Sequence, residues 1–267
     1  MDCETRQPAA PGGIEDVQSL GDERQLAIES VGVSALRIPV SVSDGDAVQQ
    51  TVATARLAVE LPAERRGTHM SRFVAMLMEQ STALSAGMLP DFMADMLERL
   101  EAHAGEARFD FPWFMAKRAP VSGVKSHMDY DITLAARLAG GRATVSTGVT
   151  VPVTSLCPCS KQISLYGAHN QRSHIRVRVE DAAAFSLAEL IALVEGQASA
   201  PLYGMLKRED EKFVTEQAYD NPKFVEDAVR DVALALKLDG RFPHFTIEAE
   251  NFESIHNHSA FARLASG

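Results

Sequence analysis

The stretch Val124–Cys157 decides the fold, and it reads VKSHMDYDITLAARLAGGRATVSTGVTVPVTSLC. In its first half Tyr130 and Ile132 belong to an apolar series that alternates with polar residues, which is the period of a strand with one buried face. Gly140-Gly141 can supply the positive φ angles of a tight hairpin turn, and the alternation then resumes. We therefore predict two long antiparallel strands, the second of which ends at the cysteine.

The same two kinds of pattern extend outward from this hairpin. Period-two alternation predicts further strands within residues 35–61, 108–138, 174–179 and 242–252 and near the C-terminus. Apolar residues at helical spacing predict helices over Ser71–Gln80, Pro90–Gly105, the segment that follows Ser186, and Asn221–Gly240. The charged segment Pro201–Tyr219 is expected to be an irregular connection or a short helix.

This order of elements indicates an α+β protein with a weak structural repeat. Residues 1–30 are rich in charge, Pro and Gly, so we expect a flexible N-terminal arm. Residues 31–120 and 121–267 each run two strands, two helices and then strands. We expect two modules of antiparallel sheet with paired helices, whose sheets gain from closing with neighbouring subunits.

Composition restricts the classes of function. The chain has 267 residues, a formal net charge of -10 and a pI near 5.3, which argues against nucleic-acid or anionic-membrane partners but leaves room for a small anionic ligand. The N-terminus has no continuous apolar run, so cytoplasmic residence is the default expectation. The cysteines are Cys3, Cys157 and Cys159, and they suit metal binding or catalysis better than a disulfide framework.

The loop after the second strand, Ser155–Arg172, concentrates chemically reactive residues in the sequence SLCPCSKQISLYGAHNQR. A thiolate from Cys157 or Cys159 and the imidazole of His169 can share a metal ion. Spacing alone also leaves open an inert reduced cysteine pair and a histidine that only forms hydrogen bonds within the loop.

Three later segments carry further candidates. The acidic run Glu209–Glu211 is ordinarily a solvated face, but a carboxylate from it could complete a Cys/His site. Glu226 is either an exposed helix former or a carboxylate that accepts two hydrogen bonds from a guanine-like edge. His256 and His258 are solvated imidazoles, proton donors or ligands.

Taken with the motifs Glu211-Lys212, Asn221–Asp227 and Glu253–His258, the loop Ser155–Arg172 resembles GTP cyclohydrolase type IB. The resemblance covers most of the chain after the N-terminal arm. It implies the tunnelling fold, a homotetramer and active sites at subunit interfaces. It also implies conversion of GTP to 7,8-dihydroneopterin triphosphate and formate, the entry step to tetrahydrofolate and, in many bacteria, to queuosine.

The resemblance also assigns roles to residues. It makes Cys157, His169 and Glu211 the ligands of a divalent metal, zinc, manganese or iron, which activates water. It makes His256, together with Cys157, catalytic, with His256 as the proton donor, and Glu226 the guanine anchor. The resemblance also places Lys161 and Arg172 at the triphosphate of GTP. Glu209 or Asp210 could replace Glu211, and the roles of Cys159 and His258 stay open.

Two alternatives compete with this assignment. One is another tunnelling-fold pterin or deazaguanine enzyme with a nucleophilic cysteine. The other is a non-enzymatic metal or redox module in which the Cys-Pro-Cys segment is a switch.

Overall fold

The computed structural model describes residue 18 and residues 20–266, and within them the strands form one antiparallel sheet. The strand bounds are β1 Ile28–Asp44, β2 Ala47–Leu61, β3 Gly105–Arg118, β4 Lys125–Ala139, β5 Arg142–Leu156, β6 Asn170–Glu180, β7 Ala200–Pro201, β8 His244–Asn251 and β9 Ala260–Ala265. The order across the sheet is β1-β2-β3-β4-β5-β6-β8-β9, and the short β7 pairs with β5.

Six α-helices accompany the sheet in the described part of the chain. They are α1 Met70–Glu79, α2 Leu89–Leu100, α3 Pro158–Ile163, α4 Leu187–Glu195, α5 Arg208–Asp220 and α6 Val225–Asp239. None of the helices in this part is long and apolar enough to cross a membrane.

The sheet has one apolar face and one polar face because its strands alternate residue by residue. Ile132 on β4, Val177 on β6 and Ile247 on β8 are each about 1% exposed or less and belong to one continuous core with the helices. The opposite face is lined by arginines, acidic residues and hydroxyl side chains around a groove. Helices therefore cover one side of the sheet, as an α+β architecture requires.

The predicted hairpin is confirmed: Ala139 pairs with Arg142, and both intervening glycines have positive φ. The cap of α4 is also confirmed, because Ser186 and Glu189 form a reciprocal capping box. The segment expected to be irregular or a short helix contains the 13-residue helix α5. The sequence did not predict the full length of α5 because the helix has few apolar residues. It is held mainly by polar contacts at its ends.

The N-terminal arm predicted for residues 1–30 lies mostly outside the described residues, as does Cys3. In the part that is described, Gly21 bridges Arg65 and β1 begins at Ile28. The expected module boundary near residue 120 falls within the β3–β4 hairpin. The first run of two strands, two helices and two strands ends after β4, at Gly140-Gly141, and the division of the chain into two modules stays a prediction.

Three chain segments meet at one edge of the sheet and position the candidate site. β5 ends at Leu156, β6 begins at Asn170, and β8 ends at Asn251 beside β6. The loop that carries α3 and the loop of residues 252–259 therefore emerge next to each other.

We expect Ile247→Ala to destabilise the protein by about 2–5 kcal/mol, because it deletes buried methyl groups that the surrounding core cannot replace. Thr246→Ala, one residue earlier and on the polar face, is the matched control and should stay within about 0.5 kcal/mol. Chemical unfolding of both variants measures the difference. Equal effects would contradict the assignment of the two faces.

Candidate active site

Cys157 and His169 lie opposite each other at the end of the β5–β6 ladder. Leu156 pairs with Asn170, and the backbone N–H of Cys157 donates to the carbonyl of His169 over 3.2 Å. Directly opposed residues of an antiparallel pair place their side chains on the same face, with Cβ atoms about 4.5–5.5 Å apart. Continuing this register past the last strand pair would place the thiol and the imidazole on the same face, as ligands of one metal require.

The cysteine sits where the strand turns into α3. Pro158 occupies the first turn of this helix, and the carbonyl of Cys157 accepts from the Ser160 hydroxyl at 3.1 Å and the Lys161 N–H at 3.2 Å. Cys157 is half-buried whereas Cys159 is exposed. The two cysteines thus have different surroundings, and the helical turn breaks the extended register that would have made them point alike.

His169 is oriented by the loop that follows β8. Its Nδ1 lies 3.1 Å from the hydroxyl oxygen of Ser254. Histidine ligands are commonly held in this way through the nitrogen that does not bind the metal. The contact leaves Nε2 of His169 as the nitrogen available to a ligand.

The same loop carries His256 beside a shielded carboxylate. Glu253 lies with one carboxylate oxygen 3.5 Å from Nδ1 of His256, and its other oxygen accepts from the Gln171 amide at 3.3 Å. The imidazoles of His256 and His258 are stacked, with ring centroids 5.1 Å apart. His256 itself is half exposed, so its ring is accessible to a substrate.

A row of buried polar side chains crosses the three strands immediately below these groups. The hydroxyls of Ser155 and Ser173 are 2.7 Å apart, and Ser173 donates to the Asn251 side chain at 2.7 Å. All three residues are less than 9% exposed. The row ties the ends of β5, β6 and β8 to one another.

Asp210 was predicted as an alternative metal ligand. The structure contradicts this prediction, because the carboxylate of Asp210 is already engaged in hydrogen bonds within the protein. Its carboxylate accepts from the hydroxyl and N–H of Ser122 and from the N–H groups of Val121 and Lys207, at 2.6–2.9 Å. Burial by itself raises the pKa of Asp210, but these hydrogen bonds outweigh it and hold the pKa well below its ordinary value. Asp210 therefore caps α5 and fixes the β3–β4 hairpin.

Glu211, the next residue, is exposed in the first turn of α5. The far end of α5 contacts the loop Ser155–Arg172, called the cysteine loop below. Lys161 of this loop donates to the Tyr219 carbonyl and lies over the Tyr219 ring at 4.1 Å. Eight residues of helix separate Glu211 from Tyr219, about 12 Å along the axis. Among the described residues no group of three or more His, Cys, Asp or Glu side chains could hold a metal.

The remaining predicted residues lie around this edge. Glu226 is exposed in the first turn of α6, whose approach is tied to the cysteine loop by a hydrogen bond from Lys223 N–H to the Leu156 carbonyl at 3.1 Å. Lys161 is held against Tyr219 as described above. Arg172 is exposed on β6, and its carbonyl accepts from Phe252 N–H at 2.9 Å.

The structure thus brings Cys157, His169 and His256 to one edge and leaves Glu211 and Glu226 on helices beside it. Sequence reasoning missed Gln171 and Glu253. Their pairing is visible only once β6 and β8 are known to be neighbours in this register.

Solved structures confirm the class of fold. Uricase from Arthrobacter globiformis superimposes with a TM-score of 0.55 at 8% identity, covering 89% of this chain and 92% of that one. The protein is therefore an α+β protein of the tunnelling fold, as expected.

Sequence comparison shows the family. Residues 14–262 match the family model described as type I GTP cyclohydrolase FolE2. The GTP cyclohydrolase FolE2 of Ralstonia nicotianae is 55% identical over 95% of both chains, and that of Paraburkholderia xenovorans is 55% identical over 93% of both. The chain belongs to the FolE2 family of type I GTP cyclohydrolases.

We expect Asp210→Asn to lower the unfolding temperature at neutral pH and to flatten its decline in acid. The depressed pKa of folded Asp210 means that its contribution is present above the unfolded value of about 3.9 and is lost as the pH falls below it. Thermal unfolding between pH 3 and 7 measures this. Glu211→Gln is the matched control and should leave the acid limb unchanged; identical curves for Asp210→Asn and the wild type would contradict the capping role.

Proposed function

We propose that this chain hydrolyses GTP to 7,8-dihydroneopterin triphosphate and formate, as a GTP cyclohydrolase of type IB in folate biosynthesis. Family membership supports the activity. The observation that supports it at the level of residues is the backbone hydrogen bond from Cys157 to His169 at the end of the β5–β6 ladder, beside the loop of His256. The reaction is assigned to the cytoplasm, the compartment of its nucleotide substrate.

The donor set suits a divalent metal. Cys157 and His169 are adjacent on one face, and the Ser254 contact leaves Nε2 of His169 as the donor atom. The third protein ligand of this metal in our proposal is Glu211. A thiolate, an imidazole and a carboxylate together accept zinc, manganese or iron, and such an ion lowers the pKa of bound water towards neutrality.

The protein's own side chains supply binding and proton transfer. Glu226 accepts hydrogen bonds from guanine N1–H and the exocyclic amine, and the N–H groups in the first turn of α6 favour a carboxylate there. His256 donates a proton to N7 of the base and then carries protons during ring opening and formate loss. The loop position of His256 leaves its ring accessible for this exchange.

The triphosphate is assigned to Lys161 and Arg172. Arg172 is exposed at the start of β6 and its guanidinium suits phosphate oxygens. Lys161 contacts Tyr219 instead, so binding by Lys161 requires that it exchange this contact for phosphate. Both assignments therefore rest on the motif resemblance.

A homotetramer with active sites between subunits completes the proposal. Three large apolar side chains on the cysteine loop are almost fully solvent-exposed in the single chain: Ile163 82%, Leu165 94% and Tyr166 99%. A cluster of this kind next to a polar site is typical of a surface that another chain covers. Glu211 and Glu226 also face outward beside the loop, where a second subunit can bring them into the site.

Turnover is tested with purified protein, GTP and Mn²⁺, by pterin fluorescence after oxidation and by formate release. Wild type should form both products. Cys157→Ala should lose most of its bound metal, measured by elemental analysis, and at least about 100-fold in kcat, because a thiolate ligand is removed.

Cys3→Ala is the control for loss of a thiol and should keep metal and rate. Absence of both products from folded, metal-loaded wild type would overturn the proposed reaction. Normal metal content with lost activity in Cys157→Ala would favour a nucleophilic cysteine, as in the deazaguanine alternative.

Assembly is tested by Leu165→Asp, which places a charge in the proposed contact. We expect the assembled protein to fall to smaller species, measured by sedimentation velocity, with turnover falling in parallel. Met78→Asp, at a 62% exposed position on α1, is the matched control and should remain assembled. If Leu165→Asp remained a tetramer with unchanged activity, the cysteine loop would not be part of the subunit interface.

A further inference from the structure

The loop of residues 252–259 joins β8 to β9 and carries His256, yet one side chain in it is markedly more buried than the others. Glu253 is 13% exposed at its side chain, whereas Phe252 and residues 254–259 are exposed. Burying a carboxylate costs free energy unless it is hydrogen-bonded or paired. The burial of Glu253 therefore has to be explained by its partners.

The partner on the sheet is Gln171. The β6–β8 register pairs Ser173 with Asn251, and Phe252 N–H to the Arg172 carbonyl continues it, so Gln171 and Glu253 are opposite each other. The Gln171 amide donates to one oxygen of Glu253 at 3.3 Å. Gln171 is 8% exposed, so this anchor is fixed by the packing of the sheet.

The partner on the loop is His256. The second oxygen of Glu253 lies 3.5 Å from Nδ1 of His256. A carboxylate facing Nδ1 favours the tautomer with the proton on that nitrogen and directs Nε2 away from it. The carboxylate thus connects a rigid amide on β6 with an imidazole on an exposed loop.

We propose that Glu253 is a positioning residue that orients His256 for proton exchange with the substrate through Nε2. This rests on the proposed function, in which His256 carries the proton. Gln171 holds Glu253, so the loop imidazole is placed relative to the strand that also carries His169. An exposed loop alone would leave His256 free to rotate, and misplacement of about 1 Å is enough to slow a reaction substantially.

The kinetic test is a double-mutant cycle in the assembled, metal-loaded enzyme. Glu253→Gln should reduce kcat about 10- to 100-fold with the KM for GTP within about threefold and with unchanged metal content. In a His256→Ala background, Glu253→Gln should have no further effect on kcat, because the two residues act as a unit. Independent, multiplicative losses would indicate a merely structural role and overturn the proposal.

The matched control is Glu250→Gln. Glu250 lies three residues earlier and pairs with Arg176 on the other face of the sheet, so its substitution should leave kcat unchanged. If Glu250→Gln slowed turnover as much as Glu253→Gln, loss of any carboxylate near the end of β8 would be the cause, and the positioning role of Glu253 would be overturned.

A second measurement does not depend on turnover. Histidine ¹⁵N spectra, assigned with His256→Ala, should show the Nδ1-protonated tautomer of neutral His256 in the wild type and a shift towards the Nε2-protonated form in Glu253→Ala. An unchanged tautomer overturns the positioning role even if GTP is hydrolysed. Conversely, if the tautomer shifts as expected but the protein does not turn over GTP, the contact of Glu253 with His256 is supported and the proposed function is wrong.

Discussion

The register of β5, β6 and β8 is the constraint on which the candidate site depends. Side chains alternate between the two faces of a sheet, so a slip of one residue between β5 and β6 would move His169 to the face opposite Cys157. The same slip between β6 and β8 would separate Gln171 from Glu253. The observed pairing of Leu156 with Asn170 and of Ser173 with Asn251 places every one of these groups at one edge of the sheet.

Buried polar side chains make this register specific. Apolar residues at Ser155, Ser173 and Asn251 would pack against the core, but they would not distinguish one alignment of the strands from another. Hydroxyl and amide groups are satisfied only when they face each other, and an unsatisfied polar group at this depth is costly. A second tie acts from the helices, where Lys223 N–H donates to Leu156 and holds the start of α6 against the end of β5.

Most of the fold could be predicted from the sequence because its strands are long and strictly alternating and its helices begin with recognisable caps. The hairpin at Gly140-Gly141 and the capping box at Ser186 follow from such local signals. Helix α5 gave a weak signal, since its stability comes from contacts such as that of Asp210 with the distant residue Ser122. Local patterns carry no record of a partner nearly ninety positions away.

The same distinction separates the parts of the site. Cys157 and His169 belong to one loop, so proximity could be expected from the sequence, while the contact of Gln171 with Glu253 depends on which strands are neighbours. Residue types left the roles of Glu211 and Glu226 open, and only the motif resemblance selected them; the single chain shows both carboxylates exposed.

The position of Glu211 follows from the residue before it. Successive residues on a helix point about 100° apart, so when Asp210 turns inward to cap the β3–β4 hairpin, Glu211 has to turn outward. Lys161 and Tyr219 hold the other end of α5, which prevents the helix from rotating Glu211 towards the sheet without breaking both contacts. Within the described residues, the single chain therefore does not gather Glu211, Cys157 and His169 into one cluster. The exposed apolar side chains of the cysteine loop lie beside this site, so in the proposed assembly the contact between subunits and the completion of the site occur at the same surface.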